Sequence, residues 1–186
     1  MAKGLGGGYS PIAGLLIHHR VIDVLRHGTG SFCHGHTYQA HPIGCAAALR
    51  VQQIIQRDNL VEVCAQRGNY LESLLRETFS EAELVGEIRG RGLFWAIEFV
   101  KNKCTRESFP PETAIAERYQ SMVFELGVAI YPGIGTVDGT KGDHVLLAPP
   151  YNVTESELRA IVQVMKNAYD SLEMEVNAIA PISHTV

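Results

Sequence analysis

The sequence lacks the long apolar segments and basic blocks that mark membrane and nucleic-acid-binding proteins. No apolar run approaches the roughly 20 residues that span a bilayer, and no basic region followed by a hydrophobic signal core opens the chain. The net charge is −4, and the arginines alternate with acidic and apolar residues instead of clustering. We therefore expect a soluble cytoplasmic protein with neither a membrane nor a nucleic acid as a partner.

Cysteine is scarce, and its spacing indicates neither a disulfide framework nor a zinc site. The four cysteines show no CxxC pair and lie in segments that we expect to be buried: Cys33, Cys45, Cys64 and Cys104. We predict free core thiols in a reducing compartment. The remaining composition, 46% hydrophobic and 19% charged residues in a chain of 186, is that of an ordinary globular protein. Such a chain can hold one full core, or one domain and part of another.

Residues 1–57 predict the closing part of a larger α/β unit. A glycine-rich loop, residues 1–14, leads to a short strand at 13–16 and a short helix at 18–25. A buried helix then begins near Pro42, because proline suits the first turn and apolar residues follow at helical spacing. One strand is too few for a sheet with both faces covered, so we interpret this segment as a remnant of a larger domain.

Residues 58–175 predict a small α+β domain. The order is helix, strand, strand, helix, strand, strand, helix, with the third strand at 128–131 and the last helix opened by a capping box at 154–157. Residues 176–186 are predicted to be a tail. The fold class is thus α/β for the first part and α+β for the second.

The chain opens with one lysine, Lys3, followed by four glycines within five residues. Glycine is used where the backbone takes positive φ or where another group approaches the main chain closely. This density predicts a lysine amine presented to a ligand. A frayed, solvated chain end is the alternative interpretation of the same residues.

Four motifs occur along the chain: Ala2 to Tyr9 with Pro11, Gly35 to Leu49, Arg89 to Trp95, and Gly142 to His144 with Pro149 and Pro150. In order and spacing they resemble one known family, the class III pyridoxal-phosphate-dependent aminotransferases of fold type I. The resemblance extends to about residue 173. The motifs correspond to the C-terminal part of a family member, namely the end of the large cofactor-binding domain and then the small domain. For Trp95 itself we expect a packing role.

The resemblance implies that Lys3 forms the Schiff base with the cofactor, pyridoxal 5'-phosphate. The implied reaction transfers an amino group between an amino acid or amine and a keto acid or aldehyde, so the partners are small-molecule donors and acceptors. A lysine amine acts as nucleophile and base only when it is neutral. Tyr9 is expected near the substrate, with an aromatic anchor after a turn as the alternative.

The resemblance also implies a homodimer in which Thr37 donates its hydroxyl to the cofactor phosphate of the neighbouring subunit. Thr37 precedes the helix start near Pro42, whose dipole favours anions. Taken alone, a threonine in a polar loop is more often a turn former. Tyr131 stands where many family members carry an arginine for the substrate carboxylate. Tyrosine cannot form that bidentate pair, so carboxylate recognition stays open.

Three histidines offer a competing metal hypothesis. His34, His36 and His41 could supply imidazoles to zinc, but no carboxylate or cysteine completes the set, and we predict no metal site. A phosphate-binding loop of the GxxxxGK[ST] type is excluded, because Lys3 precedes its glycines.

A second functional hypothesis follows from what the resemblance does not cover. The upstream half of the family supplies the phosphate loop, the aromatic that stacks on the cofactor and the aspartate at its pyridine nitrogen, and none has a counterpart in this sequence. That aspartate makes the ring an electron sink. The alternative is therefore a weakly active or inactive fragment, or a partial gene model, that acts at most as a dimerisation partner through residues 30–50.

Overall fold

A computed structural model describes residues 1–179. The chain divides into two compact units, Met1–Leu60 and a second that begins at Val61. The helices and strands are α1 (His19–His27), α2 (Pro42–Arg57), α3 (Leu60–Thr78), β1 (Val85–Arg91), β2 (Phe94–Phe99), α4 (Ile115–Glu125), β3 (Tyr131–Gly133), β4 (Asp143–Leu147) and α5 (Glu155–Ile179), with 3₁₀ turns at Lys3–Gly6 and Pro111–Thr113. Among residues 1–179, no helix is both long enough and apolar enough to cross a membrane.

The first unit consists of two helices and the glycine-rich loop. Helix α1 begins after His18, whose Nδ1 accepts a hydrogen bond from the Arg20 N–H at 3.3 Å. Helix α2 carries Pro42 in its first turn, as the sequence predicts. The 3₁₀ turn Lys3–Gly6 packs against α2. The first unit is thus organised by one contact, between the glycine-rich loop and α2.

Two expectations for this unit are wrong. Residues 13–16 form no strand, because a strand needs neighbouring backbone to pair with and residues 1–60 contain no strand. Helix α2 is not buried: Ile43 is 71% and Leu49 61% exposed. Its apolar spacing is correct, but within this unit only the glycine-rich loop covers it.

The second unit is built on a four-stranded antiparallel sheet with strand order β1-β2-β4-β3. Alternate residues of β2 point inward, so Trp95, Ile97 and Phe99 are buried, and Trp95 has the packing role expected of it. These side chains join the apolar faces of α3, α4 and α5 in one core. The order of elements is the predicted α+β order, and the second unit holds a closed hydrophobic core.

Tyr119 and Asp143 carry buried polar groups that are hydrogen-bonded, whereas the buried Nδ1 of His144 has no hydrogen-bond partner within residues 1–179. The Tyr119 hydroxyl donates to the Met165 carbonyl at 2.7 Å, and burial raises the pKa of Tyr119. Asp143, 4% exposed, accepts from the Ala116 N–H at 3.2 Å in the first turn of α4. Burial raises the pKa of the Asp143 carboxyl. Asp143 therefore links the start of β4 to the start of α4.

Two close backbone approaches fix how elements meet in the second unit. A Cβ added at Gly68 of α3 would overlap the backbone of Gly92 in the turn between β1 and β2. A Cβ at Gly133 of β3 would overlap the ring of His144, its register partner on β4. Glycine is required at position 68, where the neighbouring group is backbone, and at position 133 as long as the His144 ring occupies that space.

Several boundaries differ from expectation. Strand β3 begins at Tyr131, not at 128, because Gly127 and Val128 are hydrogen-bonded back to the end of α4. Helix α5 continues to Ile179, so the first residues of the predicted tail are helical, and residues 180–186 lie outside the described part. The cysteines are free but not core residues: Cys64 is half-buried and the other three are exposed.

Candidate active site

Lys3 begins the 3₁₀ turn of the glycine-rich loop in a left-handed backbone conformation. Its φ is 53°, and its side chain is exposed. A residue with a Cβ is strained there by about 1–3 kcal/mol and keeps that conformation only where its surroundings impose it. None of the ion pairs formed by lysines within residues 1–179 involves Lys3. The loop thus presents a primary amine to solvent from a constrained backbone.

The constraint on this loop comes from hydrogen bonds on both sides of Lys3. Met1 and Gly14 exchange two of them: the Gly14 N–H donates to the Met1 carbonyl at 2.8 Å, and the Met1 amine donates to the Gly14 carbonyl at 2.7 Å. The Leu5 N–H closes the turn on the Ala2 carbonyl at 3.2 Å. From α2, Gln52 Nε2 donates to the Leu5 carbonyl at 3.1 Å.

The glycines of the loop have two different roles. A Cβ on Gly6 would lie 2.9 Å from Ile12 Cγ2, and one on Gly7, at φ 58°, would lie 3.2 Å from Val51 Cγ2. These two glycines are explained by packing and backbone conformation. A Cβ on Gly4 would meet nothing within 4 Å, and its φ is not positive. The fold of this unit does not require glycine at position 4, next to Lys3, where open space remains.

Thr37 lies in an exposed turn immediately before α2. The Gln39 N–H donates to the His36 carbonyl at 3.0 Å, and the His41 N–H donates to the Tyr38 carbonyl at 3.2 Å. His41 precedes α2 without a side-chain cap on its first turn. An exposed hydroxyl therefore lies close in sequence to uncapped helix N–H groups, which are donors of the kind that bind anions.

The other two predicted site residues are exposed tyrosines. Tyr9 lies on the same loop as Lys3 and is 85% exposed, and Tyr131 is 69% exposed at the start of β3 in the second unit. The structure therefore places Lys3 and Tyr9 on one loop, with Thr37 elsewhere in the first unit. Among residues 1–179, no three His, Cys, Asp or Glu side chains lie close enough to hold a metal ion. The histidine hypothesis has no geometric support within that range.

Comparison with known proteins identifies the family. Residues 1–169 match the model of the class III aminotransferases, and the chain belongs to this family. The resemblance predicted from the four motifs is thereby confirmed.

Individual relatives agree with this assignment. The chain is 50% identical to an uncharacterized aminotransferase of Schizosaccharomyces pombe over 171 residues. This alignment covers 92% of this chain and 37% of that protein. Among solved structures, it matches a transaminase from the marine bacterium Virgibacillus with a TM-score of 0.86 at 30% identity, over 94% of this chain and 39% of that one. A third relative is an amine transaminase from an uncultivated Pseudomonas species, in a PLP-bound form, with a TM-score of 0.82 at 30% identity over 92% and 37%.

The chain thus spans somewhat more than a third of the length of these relatives. Its mixed helix and strand structure is part of the fold of the PLP-dependent transaminases, which confirms the predicted fold class.

The residues of the first unit fit pyridoxal 5'-phosphate on two counts. An aldehyde needs a reachable primary amine, and Lys3 is exposed with open space at Gly4. A phosphate needs hydroxyl and N–H donors, and Thr37 is exposed close in sequence to the uncapped start of α2.

The sequence did not reveal Gln52, because its contact with Leu5 joins residues 47 positions apart and no motif marks it.

Proposed function

We propose that this chain contributes to a pyridoxal-phosphate-dependent transamination centre, with Lys3 as its catalytic residue. The exposed Lys3 amine, held at positive φ beside open space at Gly4, is the observation that carries the proposal. Family membership over residues 1–169 and the PLP-bound relative support it. The reaction is transfer of an amino group between an amino acid or amine and a keto acid or aldehyde.

The proposed site residues have different tasks. Lys3 Nζ would hold the cofactor covalently; once the amine of the substrate displaces it, the freed neutral Lys3 amine would take the proton from the substrate Cα. Thr37 donates its hydroxyl to the phosphate, which in a homodimer belongs to the partner subunit's site. Tyr9 and Tyr131 are proposed to lie near the substrate. When bound, the cofactor supplies an electron sink for the charge left on Cα.

The organisation proposed for the chain follows from the same assignment. Residues 1–57 represent the end of the large cofactor-binding domain, and residues 58–175 the small domain. The boundary between the two compact units, at Leu60, lies close to this division and supports it.

Borohydride trapping tests the role of Lys3 directly. The purified chain is incubated with pyridoxal phosphate, reduced, digested and mapped by mass spectrometry. We expect the label mainly on Lys3. Fragment spectra distinguish a label on Lys3 from one on the Met1 amine in the same peptide. The label at residue 3 should be absent in Lys3→Arg, which keeps the charge but has no primary amine, and retained in Lys141→Arg, a matched change in an exposed loop. Equal labelling of Lys3 and Lys141 in the unaltered chain would overturn the assignment.

A catalytically inactive dimerisation partner is the second candidate. Every residue from 26 to 43 is exposed, and this segment with the adjoining helix presents apolar side chains including Phe32, Tyr38 and Leu49. Exposed apolar patches often mark interaction surfaces. Sedimentation equilibrium tests this: Leu49→Asp should weaken self-association, whereas Val61→Asp, also at an exposed apolar position, should not. A monomeric unaltered chain would exclude self-association as its function.

A further inference from the structure

Gln52 is the one side chain of α2 hydrogen-bonded to the 3₁₀ turn that carries Lys3, among the described residues. Its Nε2 donates to the Leu5 carbonyl at 3.1 Å, across 47 positions of sequence. Leu5 is the third residue of the turn Lys3–Gly6. The contact therefore joins a helix of regular geometry to the turn itself.

Leu5 connects the Gln52 contact to Lys3. The Leu5 N–H closes the turn around Lys3 by donating to the Ala2 carbonyl at 3.2 Å, while the Leu5 carbonyl accepts from Gln52. Both backbone polar groups of Leu5 are thus engaged. If the Gln52 bond is lost, the Leu5 carbonyl is no longer held by α2, and the turn that keeps Lys3 at φ 53° loses one of its restraints.

The other restraints act on other atoms. Within the turn, the Leu5 N–H donates to the Ala2 carbonyl at 3.2 Å and the Gly7 N–H donates to the Gly4 carbonyl at 3.0 Å, and neither bond holds the Leu5 carbonyl. The bonds between Met1 and Gly14 fix the chain before the turn, and the contact of Gly7 with Val51 fixes the chain after it. Neither reaches Lys3, Gly4 or Leu5 directly. A positive φ at a residue with a Cβ relaxes when its surroundings no longer impose it.

We propose that Gln52 is a positioning residue, which acts through Leu5 to hold Lys3 in the backbone conformation from which its amine meets the cofactor. The inference rests on the proposed function of Lys3. It assigns to α2 a role in the site beyond packing.

Two variants remove the Gln52 donor while keeping the length of the side chain. Gln52→Glu replaces the amide with a carboxylate, which has no N–H to donate to the Leu5 carbonyl. Gln52→Met removes the donor without adding charge. The neighbouring Gln53 supplies matched controls, because its Oε1 accepts a bond from Arg50 at 3.4 Å and a carboxylate does the same. Gln53→Glu and Gln53→Met therefore carry the same chemical changes one residue away.

The first measurement is free of cofactor. The chain has few lysines, so ¹³C,¹⁵N-lysine labelling gives a short list of resonances, and Lys3→Arg assigns that of Lys3. We expect both Gln52 variants to move the Lys3 Cα resonance towards its random-coil value, and both Gln53 variants to leave it unchanged. Since Gln52 is exposed, the thermal unfolding midpoint of each Gln52 variant should agree with that of the Gln53 variant that carries the same change. An unchanged Lys3 resonance in both Gln52 variants would overturn the inference.

The second measurement is the borohydride-trapped label at Lys3, relative to Lys141, at a fixed pyridoxal phosphate concentration. Loss of one hydrogen bond predicts a decrease of about two- to tenfold in both Gln52 variants and none in the Gln53 variants. Equal yields in the two pairs would also overturn the inference. If the unaltered chain is not labelled at Lys3, the proposed function fails instead, and the resonance measurement still decides whether Gln52 holds the turn.

Discussion

The two units of this chain differ in how their apolar side chains are used. In the second unit, three helices and the sheet enclose a core in which Leu71, Leu75 and Ile115 have no exposed surface. In the first unit, the buried residues are Gly6, Gly44 and Ala48, none of them large. Apolar patterning is present in both. Only in the second unit are the large apolar side chains buried, and the burial of apolar surface is the dominant favourable term in folding.

The residues proposed for cofactor binding belong to the unit without a core. Its order depends on a few hydrogen bonds and on close packing of glycines against Ile12 and Val51. Substitutions should therefore have different consequences in the two units: large losses of stability in the second, and local changes of conformation in the first.

The largest expected contrast is between two leucines on helices. Leu75→Ala in α3 removes a fully buried side chain and should lower the free energy of unfolding by about 2–5 kcal/mol. Leu49→Ala in α2 starts from a side chain that is 61% exposed and should change it by no more than about 0.5 kcal/mol. Urea unfolding monitored by far-UV circular dichroism reports both, because both leucines lie on helices. A comparable loss in the two variants would contradict the contrast.

A smaller effect is expected at the helix starts. Thr154 and Glu157 form a reciprocal capping box: the Thr154 N–H donates to Glu157 at 2.7 Å, and the Glu157 N–H donates to the Thr154 hydroxyl at 3.2 Å. Thr154→Ala should cost about 1 kcal/mol. His41, which precedes α2, makes no such bond, so His41→Ala should cost little. Thermal unfolding followed by circular dichroism measures both, and a larger loss for His41→Ala would reverse this comparison.

The smallest effect concerns pH and Asp143. Its pKa in the folded chain is raised by burial above the ordinary value of 3.8. Between these two values the folded state binds more protons than the unfolded state, so stability falls as pH rises through this window. Asp143→Asn keeps a carbonyl acceptor for Ala116 but cannot ionise. Its stability relative to the unaltered chain should therefore increase from acid to neutral pH.

Asp138 supplies the control of opposite sign. Hydrogen bonds from the Lys141 and Thr140 backbone N–H groups lower the pKa of its carboxyl. This contribution is present above the ordinary pKa and is lost as pH falls through the folded value. Asp138→Asn should therefore lose relative stability from acid to neutral pH, as measured by urea unfolding across the pH series. Parallel trends for the two variants would show that burial does not determine the behaviour of Asp143.

Most helices were predictable from the sequence, because their signals are local. Pro42, the capping box and apolar spacing located α2, α4 and α5, and the order of elements in the second unit followed. Burial was less predictable, since it depends on what packs against a helix as well as on its pattern. The same reason explains the exposed cysteines and the absent strand at 13–16, whose environment lies beyond local sequence.

The candidate site was predictable in part. The density of glycine after Lys3 marked the loop, and the family motifs marked Thr37. Nothing in the sequence separated Gly6 and Gly7, which are needed for packing, from Gly4, which is not. The Gln52 contact was also beyond reach, because a glutamine on an exposed helix face resembles any solvated polar residue.

The His144 ring occupies the space that a Cβ at position 133 would need, and this has an evolutionary consequence. Because these register partners share one space on β3 and β4, they cannot vary independently. A relative of this fold with any side chain at position 133 should carry a residue smaller than histidine at position 144, and a reversion at one position should be tolerated only after a change at the other. In the evolution of this fold, a smaller residue at position 144 should therefore precede any side chain at position 133.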